Sequence, residues 1–236
     1  MSNPSRYPNG VTNSKLTDDM GNLGIPDPTK HHTFFDDFDK YTAADWVITT
    51  TEAGTGSATE ALNIEDGGAL LLTNAAGDND LDFLQWAGNS GSAYESFKFE
   101  AGKKMFFKSK FKTNDVIQTD VIMGLQITDT TPLALSHGVY FNKADGSTDL
   151  NLIVTKNTVA TSTTAATMID DTYVTAAFEY NGVDEIKVFA NNTHVGTSVV
   201  TNLPDDEELT ISFGVQNGEA TPQTMTTDFI FVAKER

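Results

Sequence analysis

Alternation is the feature that most narrows what this chain can fold into. In residues 209–216, Leu209, Ile211, Phe213 and Val215 alternate with Thr210, Ser212, Gly214 and Gln216. In 105–112, Met105, Phe107 and Phe111 share one face, while Phe106, Lys108, Lys110 and Lys112 share the other. The same period runs through Val121, Met123, Leu125 and Ile127, and through Val174, Ala176, Phe178 and Tyr180. A strand sends successive side chains to opposite faces, so a period of two marks strands with one buried face. Between the runs stand residues that supply positive φ at low cost: Ala-Asp-Gly at 144–146, Asn-Gly at 181–182 and Asn-Asn at 191–192. They predict hairpins linking 138–142 to 149–156, 173–180 to 185–190, and 185–190 to 193–200. No segment shows a helical period with caps; 42–46 and 205–208 each have room for a single turn. A dozen or more short strands at this spacing predict an all-β sandwich.

The first 33 residues break the pattern. They hold four of the seven prolines (Pro4, Pro8, Pro26 and Pro28), and their apolar residues are single and without period. The parse is an extended N-terminal arm over 1–33 and one β domain over 34–236. Too short of apolar side chains to fold alone, the arm is expected to bury Tyr7, Val11, Leu16, Met20, Leu23 and Ile25 against a partner. The chain of 236 residues carries 15 basic and 33 acidic side chains, a formal charge of −18. Nucleic acid and anionic membranes are therefore not expected as partners, because both repel that charge. Without cysteine, disulfides, thiolate metal sites and Cys catalysis are excluded. No stretch approaches the roughly 18 apolar residues of a membrane span. The opening MSNPSRYPNG lacks the apolar core of a signal peptide, so the expected site of synthesis and assembly is a cytoplasm.

Phe34-Phe35-Asp36-Asp37-Phe38-Asp39, followed by Asp45-Trp46, resembles the opening strand of concanavalin A-like jelly rolls of the laminin-G and glucanase type. The hairpin over 173–190 with His194-Val195-Gly196 after it resembles their late hairpin. Thr227-Asp228-Phe229-Ile230-Phe231-Val232 resembles their closing strand, which pairs back beside the first. The fold this implies is a concanavalin A-like jelly-roll β-sandwich with an extended N-terminal arm. The arm, the stretch MGLQITDTTPL and the tail from SFGVQNGEA to DFIFVAKER also resemble structural proteins of marine tailed phages, especially those of cyanobacteria. That resemblance implies a virion component.

Retaining glucanases of this fold carry Glu-x-Asp-x-x-Glu on one strand, which sets two carboxyls about 5–5.5 Å apart around a helper Asp. The acidic runs here are Asp36-Asp37-Phe38-Asp39, Asp78-Asn79-Asp80-Leu81-Asp82, Asp184-Glu185 and Asp205-Asp206-Glu207-Glu208, and none has that spacing. Asp80 and Asp82 are two apart and are expected on a solvated strand face or in a turn. Either of the first two runs offers hard oxygen ligands to Ca²⁺, but the EF-hand offsets are absent. His31, His32, His137 and His194 lack zinc spacing; His31-His32 is expected to pack or bond locally. Trp46, Trp86, Tyr94, Tyr140 and Tyr180 are candidate sugar platforms, with Trp46 assigned to the core. Lys98, Lys103, Lys104, Lys108, Lys110 and Lys112 crowd into 15 positions. Lys108, Lys110 and Lys112 point to one side of one strand. They would pair with acidic strands, protect an edge, or dock an acidic neighbour.

These readings lead to a non-enzymatic virion protein without cofactor, metal or catalytic residues. It would decorate or cement a capsid, docking on the major capsid protein or other virion proteins through the arm and the lysine stripe, in multiple copies or as a homo-oligomer. The alternative is a lectin-like module of a tail fibre or head appendage that binds a surface glycan.

Overall fold

The computed structural model of the protein describes residues 29–236. Tyr7, Val11, Leu16, Met20, Leu23 and Ile25 lie outside the described residues. Two antiparallel sheets make the sandwich. The eight-stranded sheet holds β1 (His31–Asp36), β3 (Thr59–Asn63), β4 (Ala69–Thr73), β6 (Met105–Thr113), β11 (Val174–Tyr180), β12 (Glu185–Ala190), β13 (Thr193–Val199) and β15 (Thr224–Glu235). The seven-stranded sheet holds β2 (Trp46–Thr51), β5 (Leu81–Trp86), β7 (Thr119–Gln126), β8 (Gly138–Lys143), β9 (Asp149–Lys156), β10 (Val159–Thr167) and β14 (Thr210–Asn217). The first sheet runs β13-β12-β11-β6-β15-β4-β3, with β1 on the other half of β15; the second runs β10-β9-β8-β7-β14-β5-β2.

The alternating faces do what their chemistry requires. Met105, Phe107 and Phe111 are fully buried between the sheets, as are Phe178, Val121, Met123, Leu125, Ile211, Phe213 and Val215. Phe107 stacks on Phe178 of the neighbouring strand at 5.3 Å and 11°. Each such ring contributes about 1.5–3 kcal/mol relative to leaving it in water. Asn191 and Asn192, at φ 49° and 64°, make the tight turn between β12 and β13. β15 pairs back on β1, from His31 opposite Glu235 to Asp36 opposite Ile230. This register carries the jelly-roll closure, and β1 begins at His31.

Several expectations need correcting. The lysine-bearing β6 is no edge strand: it lies between β11 and β15. One strand that does end a sheet, β10, carries mostly Thr, Ser and Ala, so it shows no apolar alternation. Of the two segments with room for a single turn, 42–46 contains a 3-10 turn, Ala43–Asp45, and 205–208 holds only a bend at 206–207.

The outer face of the seven-stranded sheet has a small core of its own. Leu81 and Phe83 from β5, Ile122 from β7 and Tyr140 from β8 pack there against Leu135. Leu135 belongs to the β7–β8 connection, which folds over the sheet. Burial pushes the Tyr140 hydroxyl up to about 12.

Candidate functional site

The chain crosses from one sheet to the other between β1 and β2, and a cavity of about 400 Å³ opens at that crossing. Phe34, Phe35 and Asp36 come from β1, and Asp37, Asp39, Lys40, Thr42 and Asp45 from the link. Trp46 opens β2 and Trp86 ends β5, where sheet pairing sets the two side by side. The aromatic wall is built edge to face. Trp46 and Trp86 meet at 5.2 Å and 77°, and Phe34 meets Trp86 at 4.8 Å and 67°. Phe213 backs Trp46 from the core at 5.2 Å.

The link is bent by Asp36, whose Oδ1 accepts from the Phe38 N–H at 2.9 Å. That turn puts Phe38 at φ 52°, an uncommon conformation for a phenylalanine, and its burial in the core holds it there. Ala87 and Gly88 donate to the Asp45 carbonyl at 2.8 and 3.0 Å, tying the end of β5 to the link. Burial pushes the Asp36 carboxyl above its ordinary range; the Phe38 N–H opposes this, and neighbouring Asp37 adds to it. Four carboxyls face one lysine across this space. Ionised carboxylates only accept hydrogen bonds, so the lining suits a ligand rich in hydroxyl donors beside an aromatic wall.

A second cavity, of about 570 Å³, lies between the ends of β1 and β15 and residues 94–103. Tyr94 stands 56% exposed at its rim. Its charges largely answer one another: Lys98 pairs with Glu208 at 3.3 Å, and Glu100 takes Lys234 at 2.5 Å and Lys103 at 3.6 Å. His32 packs, one of the two expected outcomes, and its hydrogen bond reaches a residue distant in sequence. Its Nε2 lies 3.2 Å from Ser96 Oγ, and its ring rests on Phe97. Burial, then Arg236 and Lys234, hold the imidazole below its ordinary value.

The lysine stripe lies on the outer face of β6. Lys110 pairs with Asp228 at 2.6 Å and Lys112 with Glu65 at 3.2 Å, and both ammoniums sit over the Tyr173 ring. Lys108 donates to Asn192 Oδ1 at 2.7 Å. Beside it Phe35, 62% exposed, lies 6.5 Å from both Phe229 and Phe231.

Asp80 and Asp82 are not solvated, contrary to expectation: both are fully buried. Asp80 precedes β5 and accepts from the Ala53 and Gly54 N–H groups at 2.5 and 3.1 Å, stapling the loop after β2. Asp82 turns into the sandwich. Tyr140 and Tyr180 are buried too and offer no sugar platform. The sequence held no signal for Lys143, a fully buried ammonium on β8 that donates to the carbonyls of Val116 and Thr119. Desolvation lowers it to about 8 against the pull of Asp120 and three further aspartates.

No protein-family model matches the chain, and none of the curated proteins matches it in sequence. Solved structures do match in shape. SCLam, a non-specific endo-β-1,3(4)-glucanase of glycoside hydrolase family 16, superposes with a TM-score of 0.59 at 11% identity over 90% of this chain and 94% of its own. The family 16 enzyme of a Bacteroides ovatus mixed-linkage glucan locus gives 0.57 at 12% identity over 84% and 98%. The carbohydrate recognition domain of Emp46p in its potassium-bound form gives 0.54 at 11% identity over 83% and 93%. The expectation of a non-enzymatic protein is thereby corrected. The architecture houses polysaccharide-acting enzymes as well as a lectin domain, and one missing motif does not class the chain as non-catalytic. At these identities the likeness establishes the fold: a concanavalin A-like jelly-roll sandwich.

Proposed function

We propose that the protein recognises carbohydrate and that the glycan sits in the β1–β2 cavity. One observation carries this reading: both tryptophans of the chain and four aspartates line a single cavity of about 400 Å³. Trp86 and Phe34 offer apolar faces to a pyranose, and Asp37, Asp39 and Asp45 accept from its hydroxyls. The volume fits one to a few sugar rings. The glucanases and the lectin domain of the same fold support the ligand class.

The two tryptophans are also the probe. Indole emission of the full chain is titrated with β-1,3- and β-1,4-linked gluco-oligosaccharides and with mannose oligosaccharides, and reducing ends are assayed in the same samples. We expect a saturable emission change with at least one ligand. Trp86→Ala should weaken that binding about tenfold or more, or about 1.4 kcal/mol. A flat emission and a flat calorimetric trace across the panel would overturn the reading.

The virion setting is the finer part of the proposal and rests on the resemblance to phage structural proteins. Exposed Phe35, flanked by the partly buried Phe229 and Phe231 beside Lys108, supports docking on a protein shell, since exposed apolar groups in such clusters mark interfaces. Copy number in purified particles separates the settings. Hundreds per particle mean capsid decoration; a handful mean a fibre or appendage.

A further inference from the structure

The β1–β2 cavity differs from the other charged places on the molecule in how its charges are answered. The lysine stripe and the second cavity settle theirs within the chain, Lys110 on Asp228, Lys112 on Glu65 and Lys98 on Glu208. Among the described residues, no lysine pairs with Asp36, Asp37, Asp39 or Asp45. Of these four carboxyls, Asp36 alone accepts a hydrogen bond from a described residue, the Phe38 N–H at 2.9 Å. Lys40 is the one cation of the lining and stands exposed. No three acidic or histidine side chains among the described residues converge as a metal site. The carboxyls are instead spread around a cavity of about 400 Å³, where a small ion would meet them one at a time. The opposite wall is aromatic, with Phe34 against Trp86 at 4.8 Å and 67°. Indole is the ring that attracts an ammonium most strongly.

We propose that the glycan held in this cavity is basic, built of amino sugars with free ammonium groups. The inference rests on the reading that the cavity takes a glycan, and it adds that glycan's charge. The cavity and its aromatic wall make the site; the carboxyls decide the charge of what enters. A neutral hydroxyl brings acceptor lone pairs along with its donor, and the side chains that can donate to them are few: Lys40, Thr42 and the two indoles. An ammonium brings three donors and no lone pair, which matches acceptor-only carboxylates. Its charge also answers theirs, while the apolar face of the sugar ring lies on Trp86 and Phe34. An N-acetylated sugar loses both the charge and two of the donors, and an anionic sugar is repelled.

The test uses the full chain and three β-1,4-linked oligosaccharides of equal length, made of glucosamine, N-acetylglucosamine and glucose. Calorimetry is run at about pH 6, where the amine is charged and ordinary aspartates are ionised. The glucosamine oligomer should bind about tenfold tighter than the other two at low salt. That advantage should shrink at about 0.5 M sodium chloride, because exposed charges are screened. Asp37→Asn with Asp39→Asn, at half-buried and exposed positions, should remove most of the advantage and leave the binding of the glucose oligomer nearly unchanged. Equal or tighter binding of a neutral oligomer would overturn the inference and leave the carbohydrate reading standing. Full preference in the double variant would also overturn it, since the ammonium would then be drawn by the chain's overall charge of −18 and not by the cavity. Binding of no saccharide at all would overturn the carbohydrate reading, and the inference with it.

Discussion

Replacing Asp82 by Asn should change how stability depends on pH. Burial first, then Glu60 and Glu52, push this carboxyl from its ordinary 3.8 up to about 7. Between those values the folded chain holds a proton that the unfolded chain has released. Stability contributed by Asp82 is therefore present below about pH 4 and is lost as pH rises through about 7. At about 1.36 kcal/mol for each tenfold, the loss is roughly 4 kcal/mol, an upper figure. That corresponds to about 10 °C in Tm for a domain of this size. The amide in Asp82→Asn has its own burial cost, but that cost does not vary with pH. The assay is urea unfolding of both proteins at steps from pH 4 to pH 8.5. The native chain should lose stability relative to the variant across this window, and the difference should flatten above pH 8. Parallel profiles would refute the reasoning.

Other substitutions probe the frame. Lys143→Ala should cost about 3–5 kcal/mol, because the Val116 and Thr119 carbonyls lose their shared donor and a hole opens beneath residues 115–119. Hydrogen exchange should speed up in that segment first. Asn217→Ala should cost about 2–4 kcal/mol by urea unfolding. Its amide donates to the Ala75 and Gly77 carbonyls, and its Oδ1 accepts from the Gln223 N–H and the Asn74 amide, all buried. Deleting residues 1–28 spares β1, so circular dichroism should stay nearly unchanged. If the arm is the tether, the shortened protein should fail to load onto particles, and equal loading would refute that role.

Most of the fold was legible because its strands obey one rule at a time. The strands β9 and β12 stand where alternation and flanking turns put them, over Asp149–Lys156 and Glu185–Ala190. The rule fails at β10, where an edge strand of Thr, Ser and Ala buries little and needs no apolar face. It also fails at Asp82: the residue obeys the alternation, but its chemistry contradicts the buried face it occupies. The candidate site was visible only in pieces. The run Asp36, Asp37 and Asp39 and the two tryptophans stood out separately in the sequence. Only the register of β2 on β5 sets Trp46 opposite Trp86, and only the crossing link brings the aspartates to them.

The most direct test of the central claim is to locate a bound saccharide. Crystals of the full chain are soaked with the oligosaccharide that gives the strongest tryptophan response, and the difference density is examined. The account predicts sugar density against Trp86 and Phe34, with hydroxyls within hydrogen-bond distance of Asp37, Asp39 or Asp45. Sugar density on the outer face of the seven-stranded sheet, with the β1–β2 cavity empty, would contradict it.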